Sequence, residues 1–197
     1  MTADPVTVAE LLGRLHNPAA PLDALRVGGV VRSDLPERLA GAMRGIRGLQ
    51  LALLQAKFLL IEGADRQACD LVFARHCQRA AQIWRSWSPD RSKDVCRLRN
   101  ACNLAVELTI QLPACPACKR RGVARVGRLM ATCERCNGTG EQHPRAASLA
   151  RRLGVDRSRF QRTWRQRFEL IRYDVQQTEE AALARLDRQF GRWPQRR

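Results

Sequence analysis

Two Cys-x-x-Cys pairs, Cys115/Cys118 and Cys133/Cys136, lie in the stretch CPACKRRGVARVGRLMATCERCNGTG. No other feature of the chain restricts its fold so tightly. Two residues between cysteines let one tight turn aim both sulfurs at a single ion. The gap between the pairs is about the length that closes a four-thiolate site. Zinc takes four ligands tetrahedrally, and thiolate at every corner is a common structural solution. The spacing therefore predicts one Zn2+ per chain, held by Cys115, Cys118, Cys133 and Cys136. Gly138 and Gly140 follow the second pair, and Gly122 stands at the matching offset after the first. Such glycines can adopt positive φ where the chain folds back beneath a metal. Four unconnected core thiols would have to share one spacing twice by accident.

The chain around this stretch has 197 residues, enough for one or two domains, and a formal net charge of +16. The charge is uneven. Residues 115–197 hold 20 basic and 8 acidic side chains, so +12 of the excess falls there and only +4 on residues 1–114. A basic half of that size points to a polyanion, and nucleic acid is the one expected. The competing reading is a solvated surface without a partner. The cations are nearly all arginine, with lysine only at Lys57, Lys93 and Lys119. Arginine suits bidentate contact with phosphate and guanine.

Several classes are excluded as expectations. No run of 18 apolar residues occurs, so no membrane span is expected. The N-terminal stretch MTADPVTVAELLGRLHN has acids where a secretory leader would carry positive charge, which predicts a cytoplasmic protein. In that reducing compartment, eight cysteines suggest metal and core roles rather than disulfides. No nucleophile–base pair, phosphate-cradling glycine loop or paired carboxylate motif stands out. The chain is therefore read as a non-enzyme with no small-molecule substrate.

Residues 1–34 read as a flexible segment, with a short helix over 7–16 and then a Pro/Gly-rich linker. Asp34 and Pro36 are suited to open a helix. That helix is expected to run through LQLALLQAKFLLIE to Gly63 as its C-cap, apolar nearly all round. Asp65 is read as the cap of a second helix reaching about Trp87, with Cys69, Val72, Phe73, His76, Cys77, Ala80, Ile83 and Trp84 inward. A third helix is expected over about 93–112, with Leu98, Cys102, Ala105 and Val106 inward and Pro113 ending it. Cys69, Cys77, Cys96 and Cys102 are then helical, three of them on inward stripes as small hydrophobes. The alternative for Cys69, His76 and Cys77 is a second metal site.

Past the cysteines comes SLARRLGVDRSRFQRTWRQRFELIRY. A short helix over 147–153 should turn at Gly154, and Asp156 should cap the next helix, with Phe160, Trp164 and Phe168 buried. Small Ala150, a glycine four residues later and a bulky apolar residue beyond it form a helix-turn-helix pattern. Its second helix leaves Arg157, Ser158, Gln161, Arg162 and Arg165 outward, able to reach base edges and phosphates in a major groove. Arg151 and Arg152, on the first helix, are read as phosphate contacts. A separate amphipathic helix, TEEAALARLDRQF, with Leu183, Leu186 and Phe190 on one side, and a basic tail end the chain.

The expected fold class is thus mainly α. A helical core (35–112) is interrupted by a small four-cysteine zinc ribbon (113–145). A helix-turn-helix (146–176) comes next, and then a C-terminal helix with its tail (177–197). This order, with CERCNGTG and the adjoining SLARRLGVDRSRFQRTW, resembles the lambda-type Q antitermination proteins of bacteriophages. The likeness is clearest from Cys115 to about Phe168 and looser from about Gly48 to Leu112. CPACKRRG departs from the family's pattern in carrying Arg120 where a first glycine would stand.

The resemblance implies a late-gene transcription antiterminator acting in the cytoplasm of a bacterial host. Such a protein binds double-stranded promoter DNA and engages the RNA polymerase holoenzyme, which then reads through terminators. A zinc-containing helix-turn-helix repressor or activator is the second reading, since the motif does not reveal the consequence of DNA binding. A chaperone-like zinc protein is the third, because CxxCxGxG also occurs in J-protein cysteine-rich domains. Those domains repeat the motif, and no HPD triplet appears here.

Overall fold

The computed structural model describes residues 41, 43–84, 87, 92–111, 115–119, 121–126, 129–138, 140, 142 and 144–191. The expectations for residues 1–34, for the helix start at Asp34 and Pro36, and for the tail past Gly191 lie outside them. The described chain is mainly helical. Helices α1 (Leu49–Phe58), α2 (Ala64–Ile83) and α3 (Ser92–Ile110) precede the cysteine stretch. Strands β1 (Val123–Val126) and β2 (Leu129–Thr132) lie within it. Helix α4 (Ala146–Leu153) and a long helix come after it. The long helix has three consecutive parts: a turn α5 (Arg157–Arg159), a π-helical segment (Phe160–Trp164) and α6 (Arg165–Gly191).

Contacts divide the chain into two compact units, Met1–Leu71 with Asp174–Arg197, and Val72–Tyr173. The divisions fall inside α2 and α6. In the first unit, Leu54 of α1 and the preceding Ile46 bury against Ala182 and Leu186 of α6, flanked by Met43, Leu51, Phe58 and Leu183. Lys57 Nζ lies 2.6 Å from the carboxylate of Glu179, which is itself buried. The C-terminal half of α6 is therefore a packing partner of α1 and not a separate appendage.

Two helix boundaries correct the sequence reading. The Leu-rich helix begins at Leu49, after Gly48 at φ 58, and ends at Phe58 rather than Gly63. None of its ten residues is exposed, as the all-round apolar pattern requires. Its end comes from the backbone. Leu60 takes φ 46, and the Ile61 N–H turns back to Gln55 O at 3.2 Å. Gly63 instead precedes α2, its carbonyl accepting from Gln67 N–H. Asp65 sits inside the first turn, where a carboxylate complements the helix N-terminus. On α2 the buried side chains Ala64, Ala68, Val72, His76 and Ala80 recur every four residues, and Ile83 is exposed.

The second unit contains α3, the cysteine stretch, α4, α5 and the π-helical segment. Nearly every side of α3 is covered toward its C-terminus, from Leu98 through Cys102, Leu104 and Ala105 to Leu108. Helix α4 packs on α3, and the α5 turn packs on α4. Phe160, Trp164 and Phe168 are almost wholly buried at four-residue spacing. An ideal α-helix turns about 100° per residue, so each four-residue step drifts by roughly 40°. A wider i→i+5 turn absorbs that drift and keeps the aromatics on one face; here Arg165 N–H bonds to Phe160 O. No break occurs after Val175. The expected C-terminal helix is the continuation of α6, because TEEAALARLDRQF carries no residue that stops a helix.

Candidate metal centre and arginine face

The four cysteines predicted as ligands come together. Cys115, Cys118, Cys133 and Cys136 are all buried, and their sulfurs lie within 4.8 Å of one another. Cys115 Sγ is 3.9 Å from Cys133 Sγ, and Cys118 Sγ is 3.6 Å from Cys136 Sγ. These are far beyond a disulfide bond of about 2.05 Å. Four sulfurs at a Zn–S distance of about 2.3 Å would stand about 3.8 Å apart around a tetrahedron, so the set fits one such ion. Among the described residues this is the one group of three or more possible ligands that comes together. Cys69, His76 and Cys77 do not join into a second site.

The backbone builds the cradle twice. Cys115 N–H donates to Gly140 O, and Cys133 N–H donates to Gly122 O, both at 2.9 Å. Each pair's first cysteine is thereby tied to the glycine seven residues past the other pair's first cysteine. Lys119 and Asn137, each directly after its pair, both take φ 50. Gly122 and Gly140 then take φ 70 and 75. The first loop therefore reaches the same turn as the second despite Arg120. Lys119 and Asn137 were missed from sequence; asparagine tolerates this conformation, whereas lysine gives no such signal.

Between the loops, β1 and β2 pair antiparallel, Val123 opposite Thr132 and Val126 opposite Leu129. At Gly122 a β-carbon would run into the Gly138 carbonyl oxygen. The thiols differ in acidity. The N–H of Cys118 lowers Cys115. Burial raises Cys136, but the Gly140 N–H and the neighbouring thiols outweigh this and bring it down to about 7. Burial pushes Cys118 up to about 11. Cys115, Cys118 and Cys136 thus share protons unevenly, as closely packed thiols do when no cation balances their charge.

Gly154 ends α4 at φ 71, its N–H returning to Ala150 O and Arg151 O. Asp156 caps the next turn, its carboxylate accepting from Arg159 N–H at 2.8 Å. That hydrogen bond holds Asp156 below its ordinary value. Arg151, Arg152, Arg157, Ser158, Gln161, Arg162 and Arg165 are all exposed, as expected.

They are not equivalent. Arg152 makes a forked pair with Glu107 of α3, with one arm at 2.8 Å. That hydrogen bond lowers Glu107 and raises Arg152. Arg157, Gln161 and Arg165 share one i, i+4 stripe, and Arg165 donates to Gln161 at 3.3 Å. Arg162 lies on the next stripe with Gln166 and Leu170.

Two acids on α3 do work that the sequence did not announce. Buried Asp94 sits 3.0 Å from Arg97 and 3.6 Å from Arg159. With Glu107 it takes two of the arginines on α4 and α5 into internal pairs. No periodicity separates Arg159 from Arg157, and only the fold shows which one faces an acid. No helix among the described residues is long and apolar enough to cross a membrane. No protein-family model matches the chain, and no curated protein matches it.

Proposed function

We propose that the protein is a zinc-containing, DNA-binding transcription antiterminator that modifies bacterial RNA polymerase. The observation that carries the DNA part is the exposed row Arg157, Gln161 and Arg165. It comes after a Gly154 turn and an Asp156 cap, within a segment bearing most of the chain's positive charge. Helix α4, the turn and the next helix are read as a helix-turn-helix. Arg157, Ser158, Gln161 and Arg165 face the major groove, with Arg162 at the edge of that set. Arg151 contacts phosphate, and Arg152, held by Glu107, steadies the first helix. The metal is read as zinc because a tetrahedral four-thiolate set suits it. Its role is structural, since no ligand position is left open. The step from DNA binding to polymerase rests on the resemblance to the Q family.

Two measurements test this. Arg157→Ala should weaken a specific duplex by about 1–3 kcal/mol and relax the preference at one base pair, whereas Arg151→Ala should weaken all sequences alike. In vitro transcription through a terminator downstream of the protein's own promoter should show increased readthrough. DNA binding with unchanged readthrough would leave a repressor or activator in place of an antiterminator.

A further inference from the structure

A cleft of about 280 Å³ opens between the end of α2 and the start of α6. Ile83 and Leu170 form its walls and are 57% and 47% exposed. Trp84 lines it, with the Arg167 guanidinium stacked 4.8 Å from the indole centroid. Arg162 and Gln166 complete the rim, and no acidic side chain lines the cleft among the described residues. Tyr173, one turn beyond Leu170, is 62% exposed and extends the apolar surface along α6. The cleft stripe, Arg162, Gln166 and Leu170, is distinct from the stripe of Arg157, Gln161 and Arg165.

We infer that this cleft docks an acidic amphipathic helix of a protein partner, with a large apolar side chain seated between Ile83 and Leu170 and carboxylates on Arg162 and Arg167. The size suits one anchoring side chain, and two exposed aliphatic walls favour an apolar occupant. The two arginines favour a carboxylate, which pairs with guanidinium in a forked geometry. Further apolar residues at i+3 or i+4 of the partner would run along Leu170 and Tyr173, the usual pattern of a helix in a groove. Phosphate of a nucleic acid would use the arginines but gain nothing from Ile83 and Leu170. The chemistry of the cleft is independent of whether the neighbouring stripe binds DNA.

The test uses the full chain with its metal and a fluorescent helical peptide, leucine or tryptophan every third or fourth residue on one face and glutamate elsewhere. Saturable binding is expected, weakened at least tenfold by Leu170→Ser and by Ile83→Ser, about 1.4 kcal/mol. Both substituted side chains are largely exposed, and circular dichroism checks that the helices remain. A peptide with lysine in place of glutamate should not bind. Duplex DNA binding, measured in parallel, should not change in either variant, so failure of the DNA reading and failure of the cleft are separable. No saturable binding, equal binding of the lysine peptide, or affinity unchanged in Leu170→Ser would overturn the proposal. Displacement of the peptide by a single-stranded oligonucleotide that Leu170→Ser no longer binds would assign the cleft to nucleic acid and overturn it as well.

Discussion

The cysteine cradle and the α4–α5 turn both hold a short polar segment in one shape, by different means. Among the described side chains, the cradle has almost no apolar core. Its buried cluster is four sulfurs flanked by Ala124. Its order comes from exchanged backbone hydrogen bonds, left-handed turns and the fit of its sulfurs to an ion. The α4–α5 turn has one glycine and one cap of its own, but rests on Leu149, Leu153, Phe160 and Trp164 beneath and on two acids of α3. One region should therefore depend on metal and be nearly indifferent to distant packing. The other should show the reverse.

Removing a ligand separates them most sharply. In zinc-finger peptides, structural zinc binding contributes about 10–16 kcal/mol of apparent folding free energy, far more than two short strands can replace. Cys133→Ser should release the metal and unfold residues 115–140, while α3, α4 and α6 keep their amide protection. Elemental analysis and hydrogen exchange read the two halves. Native-like protection across residues 115–140 in the metal-free variant would show that the backbone cradle stands alone.

The glycines give a finer contrast, because the same substitution meets different obstacles. Gly154→Ala meets open space and only the strain of positive φ, roughly 1–2 kcal/mol. Gly122→Ala meets the same strain and also the Gly138 carbonyl, which the hydrogen bond from Cys133 N–H to Gly122 O keeps close. It should cost more than its counterpart and lower metal affinity, which Gly154→Ala should leave alone. Competition with a zinc chelator measures the first effect and urea denaturation the second. Equal costs would mean that the first loop can relax away from the second.

Legibility in the sequence obeys the same division. The ligand set was legible because the spacing of Cys115, Cys118, Cys133 and Cys136 is itself the geometric constraint. Local signals at Gly154, Asp156 and the Phe160–Trp164–Phe168 spacing were legible too, each being satisfied within a few residues. The end of the first helix was not. Leu59, Leu60 and Ile61 continue its apolar pattern, and the stop is a left-handed Leu60 that no propensity favours. The packing of α1 on Ala182 and Leu186 joins segments more than 120 residues apart in sequence, with no motif to link them. The split among the arginines was hidden for the same reason, since the acids that select Arg152 and Arg159 lie on α3.

Acid should expose that split with the smallest effect. Arg152 and Glu107 are about half exposed, so their pair is worth less than about 1 kcal/mol. Its pH dependence nevertheless has a definite sign. Hydrogen bonding to Arg152 holds Glu107 below its ordinary value of 4.5 in the folded chain. The stabilisation is therefore complete above the ordinary carboxylate range and is lost as pH falls through the lowered folded value. Asp156, lowered by the Arg159 N–H, acts in the same direction. Glu107→Gln removes the first contribution and leaves the second. The variant should be slightly less stable than the parent at pH 7, and the difference should close as pH falls through the lowered Glu107 value, by urea denaturation at each pH. If Arg152 instead grips phosphate when DNA is bound, Glu107→Gln should also tighten duplex binding and steepen its salt dependence by about one phosphate. An unchanged salt slope in Glu107→Gln, with a reduced slope in Arg151→Ala, would leave Arg152 as an internal brace and Arg151 as the phosphate contact.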